Sequence, residues 1–309
     1  MARQLWEFGG GVDGDHRVEH WTLSVTDVDE ASRFYTDVMG WNAISGVTES
    51  THDGVPVRTV RFVRDGQRVE LMSLPNPAAT RKVPPQVNHL GLSHITVATG
   101  PALGTMKHLE EAGVRVRKHT LGSFIPGQEA EGTQFLFEDP DSNVIETFTS
   151  GPDWNPFGIG ESEEDGGSKA GILHLSHWSL CVANPSVSLA FYRDILGWTE
   201  IKRLDWEGPG PSRVMDVGPA RLTTWLLRSG GQRIEIIHFA EPPSPPRSVT
   251  GAPGLSHLSV LVDDASSTAR DLEEGGVRTR FAGGSVTFED PDGNRVVGFE
   301  PSSPMGWPH

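Results

Sequence analysis

Four histidines stand at matched places in four similar β-branched runs of this 309-residue chain. They are His20, His94, His177 and His257. In three of the four repeats a glutamate follows between apolar residues, at spacings of 50, 52 and 58 residues, and these are Glu70, Glu146 and Glu235. An ionised carboxylate in an apolar strand is costly unless it is paired or bound to a metal. Because neutral imidazole and carboxylate are the ligands of Fe(II), Mn(II), Ni(II) and Zn(II), the pattern predicts at least one metal site.

The segments around these residues predict four units with the same order of elements, strand-helix-strand-strand-strand. In the first unit we expect a helix over 27–41 and strands over 18–25, 42–48, 56–64 and 67–73. In the second unit we expect a helix near 101–112 and strands near 92–98, 114–120, 133–138 and 143–149. The first and last strands of a small curved sheet can lie close together, so each unit can offer one histidine and one carboxylate.

Two motifs show that the units were duplicated in pairs. The run from Phe34 to Trp41 in unit 1 recurs from Phe191 to Trp198 in unit 3, and the turn that begins at Asp139 in unit 2 recurs at Asp290 in unit 4. The units are therefore expected to form two halves. The predicted boundaries are an N-terminal arm at 1–15, a first pair of units at 16–150, a Gly-, Pro- and acid-rich linker at 151–170, a second pair at 171–301 and a tail at 302–309.

Composition narrows the class of partner. The net charge of −15 argues against nucleic acid or an anionic membrane as partner. No apolar run approaches the length of a membrane span, and the first residues do not resemble a signal peptide. The single cysteine, Cys181, rules out a disulfide within the chain and favours the cytoplasm. We expect a small-molecule substrate, and the sequence leaves open whether the chain forms a homo-oligomer.

The repeated units, the Phe-Tyr-x-Asp-x-x-Gly-Trp helix end, the Asp-Pro-Asp-x-Asn turn and the His and Glu positions resemble the vicinal oxygen chelate superfamily. This superfamily includes glyoxalase I, methylmalonyl-CoA epimerase, extradiol ring-cleaving dioxygenases and antibiotic-resistance proteins. The resemblance covers about 16–150 and 171–300. It implies an α+β fold in which four βαβββ modules form two cupped mixed sheets around metal sites. Matched residue by residue, it assigns metal ligation to His20, Glu70, His94, Glu146, His177, Glu235 and His257.

The eighth ligand position departs from the pattern. Aligning the turn of unit 4 on that of unit 2 places Val297 where Glu146 stands, and Glu300 three residues further on faces away because strand side chains alternate. Under either pairing one site has four ligands and the other has three. If neighbouring units pair, the four-ligand site is His20, Glu70, His94 and Glu146, and the three-ligand site is His177, Glu235 and His257. If the outer units pair with each other and the inner units do the same, the four-ligand site is His94, Glu146, His177 and Glu235, and the three-ligand site is His20, Glu70 and His257. The sequence does not choose between these pairings.

The three-ligand set resembles that of extradiol dioxygenases, because it leaves positions for substrate and O2. The sequence therefore favours a ring-cleaving dioxygenase that chelates two adjacent substrate oxygens, with Fe(II) as metal and Mn, Ni, Zn or Co as alternatives. The four-ligand set resembles glyoxalase, so a redox-neutral lyase or isomerase is the rival, and a ligand-sequestering resistance protein is a third alternative. The candidate catalytic residues are Glu146, Glu235 and His119; His52 is a further free histidine.

Overall fold

The computed structural model describes residues 18–52, 55–73, 86–125, 133–149, 170–246 and 253–301. The predicted arm and tail lie outside these residues, as do residues 151–169 of the predicted linker. No helix in the described ranges is long and apolar enough to span a membrane.

The four predicted units are present in the expected order. Unit 1 comprises β1 (Val18–Val25), α1 (Val28–Arg33), β2 (Asn42–Ala43), β3 (Thr48–His52), β4 (Val55–Arg64) and β5 (Gln67–Ser73). Unit 2 comprises β6 (Gly91–Thr99), α2 (Ala102–Glu111), β7 (Val116–Gly122), β8 (Gln134–Glu138) and β9 (Val144–Thr149). Unit 3 comprises β10 (Ile172–Cys181), α3 (Pro185–Leu189), β11 (Thr199–Gly208), α4 (Pro209–Val214), β12 (Ala220–Ser229) and β13 (Gln232–Glu241). Unit 4 comprises β14 (Gly254–Leu261), α5 (Ala265–Glu274), β15 (Arg280–Ala282), β16 (Ser285–Glu289) and β17 (Arg295–Phe299).

The outer units share one mixed sheet and the inner units share the other. Sheet A runs β15-β16-β17-β14-β1-β5-β4-β2, and β3 also pairs with β4. Sheet B runs β11-β12-β13-β10-β6-β9-β8-β7. The junctions between units are the antiparallel pairs β1 with β14 and β6 with β10. The predicted α+β class with four modules in two mixed sheets is confirmed, and of the two open pairings the structure has the outer-with-outer and inner-with-inner one.

The two sheets meet through a large apolar core. Trp21 of β1 stacks on Trp178 of β10 with ring centroids 5.3 Å apart, and both indoles are fully buried. Gln67 of sheet A donates its amide to the carbonyl oxygens of Leu175 and Ser176 in sheet B. Since side chains alternate along a strand, His20 and His177, next to these tryptophans, point to the opposite faces of their sheets.

The repeated Asp-Pro-Asp turn has a structural role. The Tyr35 hydroxyl donates to Asp139 Oδ2 at 2.7 Å, and the Tyr192 hydroxyl donates to Asp290 Oδ2 at 2.8 Å. All four side chains are buried. Each helix of an odd-numbered unit is thereby fixed to the turn of the following unit, and both tyrosines lie in the core.

Three elements differ from the prediction. The helix over 27–41 is α for six residues and then continues as a π-helical turn over Phe34–Val38. The predicted strand over 42–48 is wrong: within this range only Asn42–Ala43 (β2) and Thr48, the first residue of β3, are in strands. Between them Ser45 Oγ accepts the backbone N–H of Arg61, where a regular ladder would place a backbone carbonyl. Unit 3 carries an additional helix, α4, which accompanies its longer His-to-Glu spacing.

Candidate functional site

The strand register places each histidine near the carboxylate of its own unit. In all four units the first and last strands pair in parallel, and the residue two positions after the histidine lies opposite the glutamate position. These pairs are Thr22 with Glu70, Thr96 with Glu146, Ser179 with Glu235 and Ser259 with Val297. Val297 therefore occupies the fourth carboxylate position, as the alignment of the turns predicts.

In sheet B, two imidazoles and two carboxylates from units 2 and 3 lie next to one another. His94 Nε2 is 3.2 Å from Glu146 Oε2 and 3.8 Å from Glu235 Oε2, and His177 Nε2 is 3.5 Å from the same Glu235 oxygen. His94 is fully buried, and its Nε2 has no hydrogen-bond partner within the described ranges. The strand pair β6–β10 thus brings together the four residues that the sequence assigns to one site under this pairing.

Serine hydroxyls orient both imidazoles. Ser93 Oγ lies 2.8 Å from His94 Nδ1, and Ser176 Oγ lies 2.8 Å from His177 Nδ1. The Ser93 hydroxyl donates its single hydrogen to the Val87 carbonyl, so it must accept from the Nδ1–H of His94. His94 therefore donates through Nδ1–H, and it is the neutral form of this ring that offers a lone pair on Nε2, the nitrogen that faces the carboxylates. A hydrogen bond on the far nitrogen is the usual support for a metal-binding histidine.

The two carboxylates are held differently. Glu235 Oε2 accepts from the Ser179 hydroxyl at 2.9 Å. Burial acts to raise the pKa of Glu235, but the hydrogen bond and charge of His177, the charge of His94 and the Ser179 hydroxyl together lower it below its usual value. Glu146 has longer bonds, 3.3 Å from Thr96 Oγ1 and 3.5 Å from Gln134 Nε2. Glu235 is therefore an anchored anion, and Glu146 is held more loosely.

Two imidazoles and two carboxylates are suitable ligands for a divalent metal, but the four side chains do not already surround a common point. Among the residues that the structure describes, no group of three or more His, Cys, Asp and Glu side chains already surrounds one point. The four residues are instead linked by His–Glu contacts of 3.2 to 3.8 Å. The buried, tautomer-fixed Nε2 of His94 beside two carboxylates is the feature that suits a cation. His94, Glu146, His177 and Glu235 are thus the candidate ligands.

An apolar cluster lies beside the four residues. Val144, Cys181 and Ile237 are two residues away from Glu146, Ser179 and Glu235 along their strands, so they share the same face of sheet B. They pack with Phe124 and with Val214 and Met215 at the end of α4. Helix α4 packs against β7, β8, β11 and β12. The apolar surroundings strengthen electrostatic interactions in this region.

In sheet A, the three remaining candidates line one cavity together with Val297, but their environment differs. Arg61 Nε donates to Glu70 Oε2 at 2.8 Å. Burial raises the pKa of Glu70, and the bond and charge of Arg61 oppose that rise. Burial, together with the charges of Arg61 and Arg68, lowers the pKa of His20 to about 3. In this sheet the carboxylate is already paired with a fixed cation.

The two sheets differ in the residues that lie opposite the glutamate positions in the last hairpin of each unit. Leu136 lies opposite Glu146 and Leu226 lies opposite Glu235, so sheet B presents apolar neighbours. Arg61 lies opposite Glu70, and Thr287 lies opposite Val297. Unit 1 also has Glu19 where the other three units have a serine before the histidine. Sheet A has therefore lost several features of the metal-type arrangement that sheet B retains.

Other candidate histidines lie away from these four residues. His119 Nε2 is 2.8 Å from Asp216 Oδ1, and its side chain is 66% exposed. Asp216 follows α4 and also contacts Arg117, so His119 helps to attach α4 to β7. His174 pairs with Asp65, and His238 contacts the Val182 carbonyl. The side chain of His52 lies outside the described part. A catalytic role for His119 stays a prediction, and its observed contact is with Asp216.

A family model described as the Glyoxalase/Bleomycin resistance protein/Dioxygenase superfamily matches residues 17–147 and 172–297. The chain belongs to this superfamily. Its members are mostly enzymes that bind divalent metals and act on small molecules. The superfamily assignment confirms the resemblance drawn from the repeats.

The chain is similar to several proteins of known sequence or structure. Catechol-2,3-dioxygenase of Bacillus subtilis (strain 168) is 22% identical over 312 residues, covering 93% of this chain and 98% of that protein. The uncharacterized protein YaeR of Escherichia coli (strain K12) is 31% identical over 140 residues, covering 40% of this chain and 92% of that protein. The crystal structure of glyoxalase I from Zea mays superposes with a TM-score of 0.59 at 14% identity, covering 93% of both chains. The last likeness concerns the fold alone.

Sequence reasoning missed the residues that support or oppose ligation. The serine before the histidine recurs in three units, and this repeat was an available signal for the support of Nδ1. The Asp65-Gly66 turn of the β4–β5 hairpin places Arg61 opposite Glu70, so the ion pair between them could also have been predicted from the sequence. Within the described residues helix α4 has no counterpart in the other units, so no repeat revealed it.

Proposed function

We propose that the chain is a metal-dependent enzyme whose active site is the sheet B group of His94, Glu146, His177 and Glu235. Its substrate is a small molecule with two adjacent oxygens, and its reaction is a redox-neutral proton transfer of the lyase or isomerase type. The observation that carries this proposal is the position of His94 Nε2 between the carboxylates of Glu146 and Glu235. Four protein ligands leave two positions on an octahedral ion, which suits two adjacent oxygens.

The bound metal would supply Lewis acidity that polarises a substrate carbonyl. The protein's own contribution is divided between its two carboxylates. Glu235, anchored by Ser179 and adjacent to both imidazoles, serves as a fixed anionic ligand. Glu146, with its longer hydrogen bonds, serves as the general base that takes a proton from carbon and returns it to the neighbouring atom. Thr96 and Gln134 orient its oxygens, and the apolar cluster limits the access of water.

A ring-cleaving dioxygenase is the second candidate, and the Bacillus subtilis relative, which matches over nearly its whole length, favours it. O2 together with a bidentate substrate needs three open positions, which only the three-donor set offers. That set contains Glu70, and Arg61 engages Glu70. The geometry therefore supports the redox-neutral reaction better. Fe(II) remains the expected metal for the dioxygenase, and Ni, Zn, Co or Mn suit the redox-neutral reaction.

The test compares both reactions on protein purified without chelator, after elemental analysis of its metal. One assay follows a panel of hemithioacetal and thioester substrates under nitrogen, and the other follows oxygen uptake with a panel of catechols. We expect anaerobic turnover that Glu146→Gln lowers by at least roughly a hundredfold, the usual effect of losing a general base. Oxygen uptake that survives Glu146→Gln, with no anaerobic turnover, would transfer the assignment to the dioxygenase. Binding without turnover in either assay would indicate a sequestering protein.

The cytoplasmic location expected from the sequence belongs to the same proposal. A cytoplasmic enzyme is consistent with Cys181, whose thiol is buried and whose pKa burial raises to about 12. A thiol in this state is inert towards disulfide exchange.

A further inference from the structure

The cavity of sheet A has no role in the proposed reaction, and its walls differ from those of a metal site. It has a volume of about 780 Å³, within the range of small-molecule pockets. His20, Glu70, His257 and Val297 lie in its wall. We propose that this cavity binds a small organic anion, through a carboxylate or a phosphate group, instead of a metal.

Charge is the first argument. Three arginines and one glutamate line the cavity, so its wall is net positive even when no charge is counted for its two histidines; the arginines are Arg61, Arg280 and Arg295. The chain as a whole carries a net charge of −15, so a positive concavity runs against its overall charge. Clefts lined by one sign of charge concentrate ligands of the opposite sign. A dication entering this cavity would meet a net repulsive field.

The donor set is the second argument. Val297 offers no ligand atom at the fourth carboxylate position. Glu70, the remaining carboxylate, accepts from Arg61 at 2.8 Å, and a cation would have to displace the guanidinium. The metal ligands predicted at His20, Glu70 and His257 therefore do not fit a metal here as the sheet B residues do.

The hydroxyl groups are the third argument, and they define the ligand class. Seven serine and threonine residues line the same cavity, and they are Ser45, Thr48, Ser50, Thr51, Thr59, Ser285 and Thr287. Guanidinium groups bind planar carboxylate or phosphate oxygens in pairs, and hydroxyls can donate to the remaining oxygens. The Ser285 hydroxyl already donates to the Ala282 carbonyl, and the hydroxyls of Thr48 and Thr59 bond to each other, so the other hydroxyls of the wall carry this argument. The volume and the polar wall suit a small, polar molecule with at least one full negative charge.

The experiment is isothermal titration calorimetry on the full chain at low ionic strength, with three probes. Succinate tests carboxylate recognition, inorganic phosphate tests phosphate recognition, and succinamide is the neutral isostere of succinate. We expect succinate, phosphate or both to bind and succinamide not to bind. Whichever anion binds more tightly identifies the source of the charge. Heat from neither anion, or equal binding of succinamide, would overturn the proposal.

Variants locate the binding. Arg280→Gln with Arg295→Gln should weaken anion binding by at least roughly tenfold, the effect expected from losing charge-assisted hydrogen bonds. Arg278→Gln, an exposed arginine two residues from Arg280 and outside this cavity, is the matched control and should change the affinity less than about twofold. Unchanged binding in the double variant would also reject the proposal.

A second pair of variants protects the test against misfolding. Val297→Glu introduces a negative charge into the wall, and Val297→Gln introduces a side chain of nearly the same size without charge. We expect anion binding to be lost with Val297→Glu and retained with Val297→Gln, because like charges repel at this range. Equal effects of the two substitutions would mean that charge does not govern the site and would contradict the proposal.

Discussion

Arg61 lies directly opposite Glu70 in the β4–β5 hairpin and donates to it at 2.8 Å, whereas leucines hold the same place opposite Glu146 and Glu235. The two sheets descend from the same repeat, yet one carboxylate is paired with a fixed cation and the other two face imidazoles. A carboxylate that is satisfied by a guanidinium has little to gain from a metal. The two sheets therefore differ at the position opposite the glutamate, which is Arg61 in unit 1, as well as at Val297.

Rebuilding that position should create a second metal site. We expect the double variant Arg61→Leu and Val297→Glu to raise bound metal from about one to about two ions per chain, because sheet A would then carry two histidines and two unpaired carboxylates. Elemental analysis after loading with Ni(II) or Zn(II) and removal of the excess measures the change. Val297→Glu alone is the control and should leave the metal content unchanged, since Arg61 still holds Glu70. An extra ion in the single variant would show that Arg61 does not block ligation.

Removing a carboxylate from each sheet should have unequal effects. Glu146→Gln should lower metal affinity by at least roughly tenfold, since it removes a ligand and its charge. Glu70→Gln should leave the metal content of the chain unchanged. Competition with a chromophoric chelator measures both affinities on otherwise identical preparations. The reverse result, with metal lost only in Glu70→Gln, would move the metal centre to sheet A.

The serine beside His94 offers a subtler test. Ser93→Ala removes the acceptor of the Nδ1–H and frees the imidazole to change tautomer, so we expect metal affinity to fall roughly tenfold to a hundredfold. Ser93→Thr keeps a hydroxyl and should restore most of the affinity. Ser256→Ala makes the same change beside His257 in sheet A, where Ser256 Oγ lies 3.1 Å from Nδ1, and should have no effect on metal binding. Equal losses in both alanine variants would indicate a general effect on folding.

The fold and the donor positions were accessible from the sequence because they repeat. Alternation along each strand assigned a face to every histidine and glutamate, and the turn at Asp290 fixed the alignment that exposes Val297. The pairing of the units was not accessible, because β1 with β6 and β1 with β14 would bury similar apolar faces. It depends on strand contacts between residues far apart in the chain, such as His20 with Ser259 in the β1–β14 pair and His94 with Ser179 in the β6–β10 pair.

The arrangement of the units also predicts the behaviour of a cut chain. Each sheet takes one unit from each half of the sequence, so a single cut within 151–169 should leave both sheets assembled. We expect the two fragments to elute together in size-exclusion chromatography and to separate only in denaturant. Fragments that separate in buffer would contradict the outer-with-outer pairing. Early cutting inside 18–73 instead would contradict the predicted linker.

The Tyr35–Asp139 bond predicts how stability varies with pH. Burial raises the pKa of Asp139 from 3.8 to about 6, despite hydrogen bonds from Asn143 and Tyr35 that lower it. Between these values the folded chain keeps a proton that the unfolded chain has lost, so this group makes the free energy of unfolding fall as pH rises from 3.8 to about 6, with no further change above. Asp139→Asn cannot ionise and should remove this part of the slope. Denaturant unfolding at several pH values measures this slope.

Asp205→Asn is the control, because Asp205 is exposed and the pKa of its carboxyl is lowered. This variant should keep the fall in the free energy of unfolding between pH 3.8 and about 6. Loss of the slope in both variants would mean that it does not arise from Asp139.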